Sequence, residues 1–207
     1  LKNYSGAIAD LNKAIEINPK LLIAYVQRSI AKGILKDYSG AIDDTNKAIE
    51  INPRYAEAYK IRGSINFNLK DYSGAIANFN KAIKNIDQLS KYDAAVVYNN
   101  RGKAKSKKFI KDYFGAIADY NKAIEINPEF SEAYSNRGSV KSKLKNYSGA
   151  IADFNKAIEI NPKNAYSYSS RGVVKKIIGN TEGACSDWRK ASELGYKNSA
   201  NWVQEGC

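Results

Sequence analysis

The sequence predicts an all-α solenoid built from helix pairs. Three observations carry this: a motif that returns about every 34 residues, an apolar stripe of helical period inside each copy, and helix start and stop signals at fixed places between copies.

The motif is explicit. Residues 4–19 read YSGAIADLNKAIEINP and residues 147–162 read YSGAIADFNKAIEINP. Sister copies begin at Tyr38, Tyr72 and Tyr113, and a degenerate one at Thr181. The alanine of each copy falls at Ala7, Ala41, Ala75, Ala116, Ala150 and Ala184, at intervals of 34, 34, 41, 34 and 34 residues. Within one copy Ala150, Ile151, Phe154, Ala157 and Ile158 form a single stripe at helical spacing. Asp37, Asp71, Asp112, Asn3, Asn146 and Asn180 stand where a helix N-cap is needed. Pro19, Pro53, Pro128 and Pro162 each follow asparagine, which ends the second helix of a pair and resets the chain.

The glycines Gly63, Gly102, Gly138 and Gly172 fall midway along the preceding, first helices, where they permit close helix packing. A second glycine recurs in Tyr-Ser-Gly-Ala, where it should cost up to ~1 kcal/mol relative to alanine. The sequence offers only close packing or recent duplication as its reason. The expected partition is one solenoid over 1–207: a half repeat at 1–21, repeats at 22–55, 56–94, 95–130, 131–164 and 165–195, and a cap at 196–207, with its helix near 200–205.

These residues resemble the tetratricopeptide repeat family, in its bacterial form. Tyr134, Gly138, Ala150, Phe154 and Pro162 fit the family pattern in one copy, and Tyr59, Gly63, Ala75 and Phe79 in another. Arg137, Lys141, Arg62 and Asn66 depart from it. The resemblance implies that first helices line a concave groove and that the protein binds proteins or peptides there. Some family members clamp a partner's C-terminal carboxylate. Carried over, Lys60 and Asn100 match that clamp, whereas Ser64, Glu132 and Asn136 do not, and Glu132 opposes it by charge. The stretch from Ala184 through Cys207 looks like the closing cap of some bacterial members, which implies that Cys185 and Cys207 approach closely enough for a disulfide. Such a bond leans towards an exported protein; otherwise the compartment is open.

Composition narrows the function. The chain has no histidine and two cysteines, which removes the commonest general base and the usual zinc ligand sets. A non-enzymatic protein without cofactor is expected. There is no methionine and the chain opens in mid-repeat, so an excised piece is expected. Apolar runs such as 21–25 and 94–98 are too short to span a bilayer.

The 41-residue interval hides two insertions, near 86–94 and 106–111. They are either tolerated length drift or a local change of pitch that shapes a pocket.

Net charge is +12 and uneven: residues 95–176 hold 16 Lys+Arg against 7 Asp+Glu. Lys13 with Glu16, Lys47 with Glu50, Lys122 with Glu125 and Lys156 with Glu159 balance the second helices, so the excess lies on the first. That field is a solvated face, a surface for an acidic peptide, or a surface for a nucleic-acid backbone. Aromatics interleaved with these lysines are scarce beyond Phe109, which disfavours the last. The expected peptide-binding residues are Lys60, Asn100, Lys103, Lys107, Asn136, Ser139, Lys143 and Lys176. The recurring arginines Arg28, Arg62, Arg101, Arg137 and Arg171 are instead expected to be structural, paired with second-helix residues such as Asp153. The uncovered stripe Ile8, Leu11 and Ile15 near the start invites self-association.

Overall fold

A computed structural model describes residues 3–207, apart from the side chains at 200, 201 and 204–206. Twelve α-helices are described: α1 (Tyr4–Ile17), α2 (Leu22–Ile34), α3 (Tyr38–Ile51), α4 (Ala56–Asn68), α5 (Tyr72–Lys84), α6 (Lys91–Lys105), α7 (Tyr113–Ile126), α8 (Ser131–Lys143), α9 (Tyr147–Ile160), α10 (Ala165–Ile177), α11 (Thr181–Glu193) and α12 (Lys197–Gly206). The chain forms two compact units, Leu1–Ile110 and Lys111–Cys207. The first holds α1 to α6 and the second α7 to α12. The cap helix begins three residues earlier than the sequence suggests.

Each helix boundary has a local cause. The N-cap side chains of Asn3, Asp37, Asp71, Asp112, Asn146 and Asn180 accept from the N–H of the glycine three residues on, at 2.8–3.0 Å. This accounts for the Tyr-Ser-Gly-Ala glycine. A Cβ there would run into the capping side chain, at 2.8 Å from Asn146 Oδ1 in the case of Gly149. The cap is thus held where it satisfies an orphan N–H, a gain of about 1 kcal/mol that offsets the glycine's helix penalty. At the other end Asn18, Asn52, Asn127 and Asn161 take extended backbone. Their Oδ1 atoms accept from the N–H just after the proline.

First helices stop differently. Lys36, Lys70, Lys145 and Gly179 adopt the left-handed conformation just past their ends, while Lys111 does so directly before the N-cap of α7 and Gly195 after the second helix α11. The N–H of Asp37 reaches back to Lys32 O, and that of Lys36 to Gly33 O, closing a Schellman turn.

In the first unit two apolar clusters follow one another. Tyr25, Val26, Ala41, Ala48, Ala58, Ile61 and Ile65 form one; Tyr59, Ala75, Phe79, Ala82, Val97 and Ala104 form the next. In the second unit Ala116, Tyr120 and Val140 are followed by Ala150, Phe154 and Val174. The first-helix glycines lie against the large residue of the second helix. A Cβ on Gly63 would stand 2.7 Å from the Phe79 ring, one on Gly138 3.0 Å from Phe154, and one on Gly172 2.5 Å from Trp188. Where the second helix offers only Thr45, the first carries Ser29, whose hydroxyl donates to Ala41 O.

The arginines are structural, as expected. Arg137 donates through Nε and Nη2 to both oxygens of Asp153, at 2.9 and 2.6 Å, and through Nη1 to Asn121. Arg28 with Asp44 and Arg171 with Asp187 repeat the arrangement. A lysine one turn on, Lys32, Lys141 or Lys175, shares each aspartate. Each arginine also lies about 5.5 Å from the centroid of the tyrosine three residues before it. Arg62 instead meets Asn78.

At the end of the second unit α12 closes the array. Ser199 Oγ donates to Ser169 Oγ, Trp202 lies 5.4 Å from Trp188, and Cys185 and Cys207 are joined by a disulfide across Cα atoms 5.6 Å apart.

Candidate functional site

Helix geometry sorts the first-helix residues into faces. One face packs on the second helix, one on neighbouring first helices, and a third is open. In α8 the open line is Glu132, Asn136, Ser139 and Lys143, at spacings of four, three and four. The same positions in α6 hold Val96, Asn100 and Lys103, and the fourth, Lys107, falls just beyond the helix end. In α4 they hold Glu57, Ile61, Ser64 and Asn68, and in α2 Ile23, Gln27, Ile30 and Ile34.

In the first unit this face is concave. A pocket of about 380 Å³ opens between α2, α4 and α6, lined chiefly by Ile30, Ile34, Lys60, Ile61, Ser64 and Val96. A smaller one of about 160 Å³ adjoins it, with Ser64 and Asn68 shared and Asn100 and Lys103 added. The face therefore grades from apolar at α2, through hydroxyl and amide at α4, to basic at α6. Its apolar end was not singled out in the sequence, where a basic and polar groove was expected on the first helices of the later repeats, α6, α8 and α10. At the apolar end Ile34 remains 50% exposed.

The expected residues fare unequally. Asn100 and Lys103 share one line on α6, and Lys107 follows in the segment after the helix. Lys103 and Lys107 sit 5.7 and 5.0 Å from the Phe67 centroid, and Lys107 also 5.8 Å from Tyr72, which keeps both ammonium groups over aromatic faces on the open side. Asn136, Ser139 and Lys143 share one line on α8, with Lys143 5.6 Å from the Tyr113 centroid. Ser139 also exchanges a 2.8 Å hydrogen bond with Tyr166 of α10.

Two residues stand apart from these lines. Lys60 lines the larger pocket but lies one place off the line, and it is held at 2.8 Å by Glu57 and at 2.6 Å by Asp93. Burial alone would lower its pKa, but the hydrogen bonds to Asp93 and Glu57 outweigh that and raise it. Asp93 shows the converse: burial pushes its carboxyl up, and the hydrogen bonds from Lys60 and Ser90 bring it below the ordinary value. Lys176 is exposed but also lies one place off; the line position in α10 is Ile177. Asp93 belongs to the first insertion, which folds as a 3-10 turn at Ile86–Gln88 before α6. Its Gln88 accepts from Ala56 N, so the insertion is tied to α4 rather than loose.

The second helices carry balanced charge. Lys47–Glu50, Lys122–Glu125, Lys156–Glu159 and Lys190–Glu193 are paired. Among the described residues no cluster of His, Cys, Asp and Glu could hold a metal ion, and no helix is long and apolar enough to cross a membrane.

Helix pairs of 34-residue period, a small residue against a large one in each pair and Asn-Pro punctuation between pairs define a class of helical repeat. Family profiles described as tetratricopeptide repeat match residues 1–21, 35–96 and 131–164, and one described as TPR repeat matches 111–145. The chain belongs to the tetratricopeptide repeat family.

No curated protein matches it by sequence. Among solved structures it is similar to PilW, a widely conserved type IV pilus biogenesis factor, at TM-score 0.85 and 21% identity over 98% of this chain and 91% of that one. It is similar to PilF of Pseudomonas aeruginosa at TM-score 0.82 and 18% identity, over 96% and 90%. It is also similar to YrrB, a TPR protein with an unusual peptide-binding site, at TM-score 0.71 and 21% identity, over 94% and 97%. At these identities the likeness is one of fold.

Proposed function

We propose that this protein is a non-enzymatic interaction scaffold that takes an extended, acidic protein segment on the open face of its first helices. The observation that carries the reading is the graded face of the first unit. An apolar side chain of the segment fits the pocket between α2 and α4, and carboxylates following it meet Lys103 on α6 and Lys107 just beyond it. Asn68 and Asn100 can both donate to and accept from a peptide backbone lying between. The membership of YrrB in the same fold, with its named peptide-binding site, agrees with this use of the face.

Charge supports the same choice of partner. Most lysines of the second helices have a glutamate beside them, and Lys32, Lys141 and Lys175 each sit on an aspartate. The lysines that line the open face, such as Lys103 in the first unit and Lys143 in the second, are placed to add positive potential there. A segment held this way binds with modest affinity and marked salt dependence.

The test is an array of twelve-residue peptides, each holding one leucine and three glutamates in varied spacing. Leucine-containing acidic peptides are expected to bind. Ile34→Lys and Lys103→Glu should each weaken them, and charge-matched peptides without leucine should lose the Ile34 dependence. Equal binding by the wild type and both variants would sink the reading. Preference for a random oligonucleotide over every acidic peptide would replace it with nucleic-acid binding.

A further inference from the structure

The second insertion is two residues long, and comparing the chain with itself shows which two. After Gly138 the chain runs on to Lys141-Ser142-Lys143-Leu144-Lys145, and after Gly102 to Lys105-Ser106-Lys107-Lys108-Phe109-Ile110-Lys111. Lys108 and Phe109 are therefore the added pair. Ile110 N donates to Lys107 O at 3.0 Å, which closes a turn with Lys108 and Phe109 as its two central residues. Both side chains are exposed, Phe109 at 86%. A ring on a slack loop would fold back onto the protein to escape water; this turn holds it outward.

Two neighbouring loops repeat the arrangement in weaker form. The last turns of α2, α4 and α6 lie side by side, since Ile34 and Asn68 line one pocket and Asn68 and Lys103 the next. Just past the first two ends stand Leu35 with Lys36 and Leu69 with Lys70. Both leucines are 49% exposed, and both lysines are exposed. Asp37 and Asp71 follow, so these loops add apolar contact and little net charge. The charge comes from the third loop: residues 103–110 hold Lys103, Lys105, Lys107 and Lys108 and no acidic residue.

We propose that this edge of the first unit is a contact surface for an anionic phospholipid bilayer, with Phe109 entering the interface and Lys108 lying among the headgroup phosphates. The edge is a row of separate tips, each pairing an apolar side chain with an ammonium group, and an anionic interface binds that combination. A partner protein would need a separate hollow for each tip, whereas a fluid interface receives them together. A nucleic-acid backbone would use the lysines but leave Leu35 and Leu69 in water, since leucine has no face for base stacking. One ring and a few lysines give weak, reversible attachment. The edge lies past the ends of the first helices rather than along their open face, so it stands whether or not that face takes acidic segments.

The test sediments the whole chain with sucrose-loaded vesicles, either of phosphatidylcholine alone or with roughly one-third phosphatidylserine. Binding to the anionic vesicles is expected, weakening as salt is raised, with little binding to phosphatidylcholine alone. Phe109→Ser should weaken it about tenfold, and Lys108→Glu at least about tenfold, with the circular dichroism of both variants unchanged. Phe109→Trp should keep the binding. Its emission on anionic vesicles should be quenched by phospholipid brominated in the acyl chains, beyond the quenching of Trp188 and Trp202 in the wild type. No sedimentation with anionic vesicles, equal sedimentation with both kinds, wild-type binding by Phe109→Ser, or no added quenching in Phe109→Trp would each overturn the proposal. Phe109-dependent binding of a single-stranded oligonucleotide, with none to anionic vesicles, would reassign the edge to nucleic acid.

Discussion

Replacing Asp153 by asparagine tests how the stack is held together. The Asp153 side chain is 5% exposed and receives two hydrogen bonds from Arg137 and an ion pair from Lys141 at 2.8 Å. Asparagine keeps the shape and one acceptor but leaves two cations beside each other with no anion. Removing one partner of a buried pair costs roughly 3–5 kcal/mol. Arg137 and Lys141 remain 17% and 22% exposed, so solvent screens part of that, and a loss of about 2–3 kcal/mol is expected.

The protein contains its own compensated version of this change. In α4 and α5 the aspartate is Asn78, and the lysine one turn after the arginine is Asn66. Arg62 there still donates to Asn78 at 2.8 Å and to Asn46 at 2.6 Å, and burial lowers its pKa where Arg28, hydrogen-bonded to Asp44, is raised. Lys141→Asn should therefore restore at least about 1 kcal/mol to Asp153→Asn while costing the wild type stability, a coupling of opposite signs. Urea unfolding of the four proteins, followed by far-ultraviolet circular dichroism, gives the cycle. A loss under 0.5 kcal/mol for Asp153→Asn, or no recovery in the double variant, would refute the role assigned to the cluster.

Three further outcomes are expected. Lys36→Gly and Lys145→Gly should each raise the unfolding midpoint, by up to about 1 kcal/mol of stability, because both lysines occupy the left-handed region; Gly179→Lys should do the reverse. Reducing the Cys185–Cys207 bond, whose partners are 22 residues apart, should cost about 3 kcal/mol locally, read as faster hydrogen exchange in α12 and around Trp188 with α8 unchanged. The Lys60–Asp93 pair should stabilise only between the two titrations. Asp93 titrates below its ordinary 3.8, so its contribution is present above about pH 4 and is lost as the pH falls through the folded value. Lys60 titrates above 10.5, so the contribution is full below that pH and lost above it. The stability difference between wild type and Asp93→Asn should therefore be flat from pH 5 to 9 and shrink towards pH 3.

The repeat was legible because one residue type serves one physical need in every copy. Asparagine or aspartate before the second helix, glycine opposite an aromatic, and arginine opposite an aspartate are each visible as spacing, and each appears in the structure at its place. What the sequence hid depends on orientation within a helix. Ile34 has the same character as the buried Ile65, and only its place at the end of α2 leaves it on an open face. Lys60 and Lys176 read like Lys103 and Lys143 because all sit near the glycine, but one place along a helix is about 100° around it. One of the two partners of Lys60, Asp93, lies 33 residues away, in an insertion whose conformation no repeat could teach. The Tyr-Ser-Gly-Ala glycine was visible but unexplained, since its reason is the capping side chain it leaves room for.

The claim that the first-helix face of the first unit takes a peptide is tested most directly by methyl NMR of isoleucine- and valine-labelled protein, titrated with the best-binding acidic peptide from the array. The methyl groups of Ile30, Ile34, Ile61 and Val96 should shift with a single binding curve, while those of Ile49 and Ile83 on the second helices stay in place. Shifts confined to Ile49 and Ile83, with Ile30, Ile34 and Val96 unmoved at saturation, would contradict it.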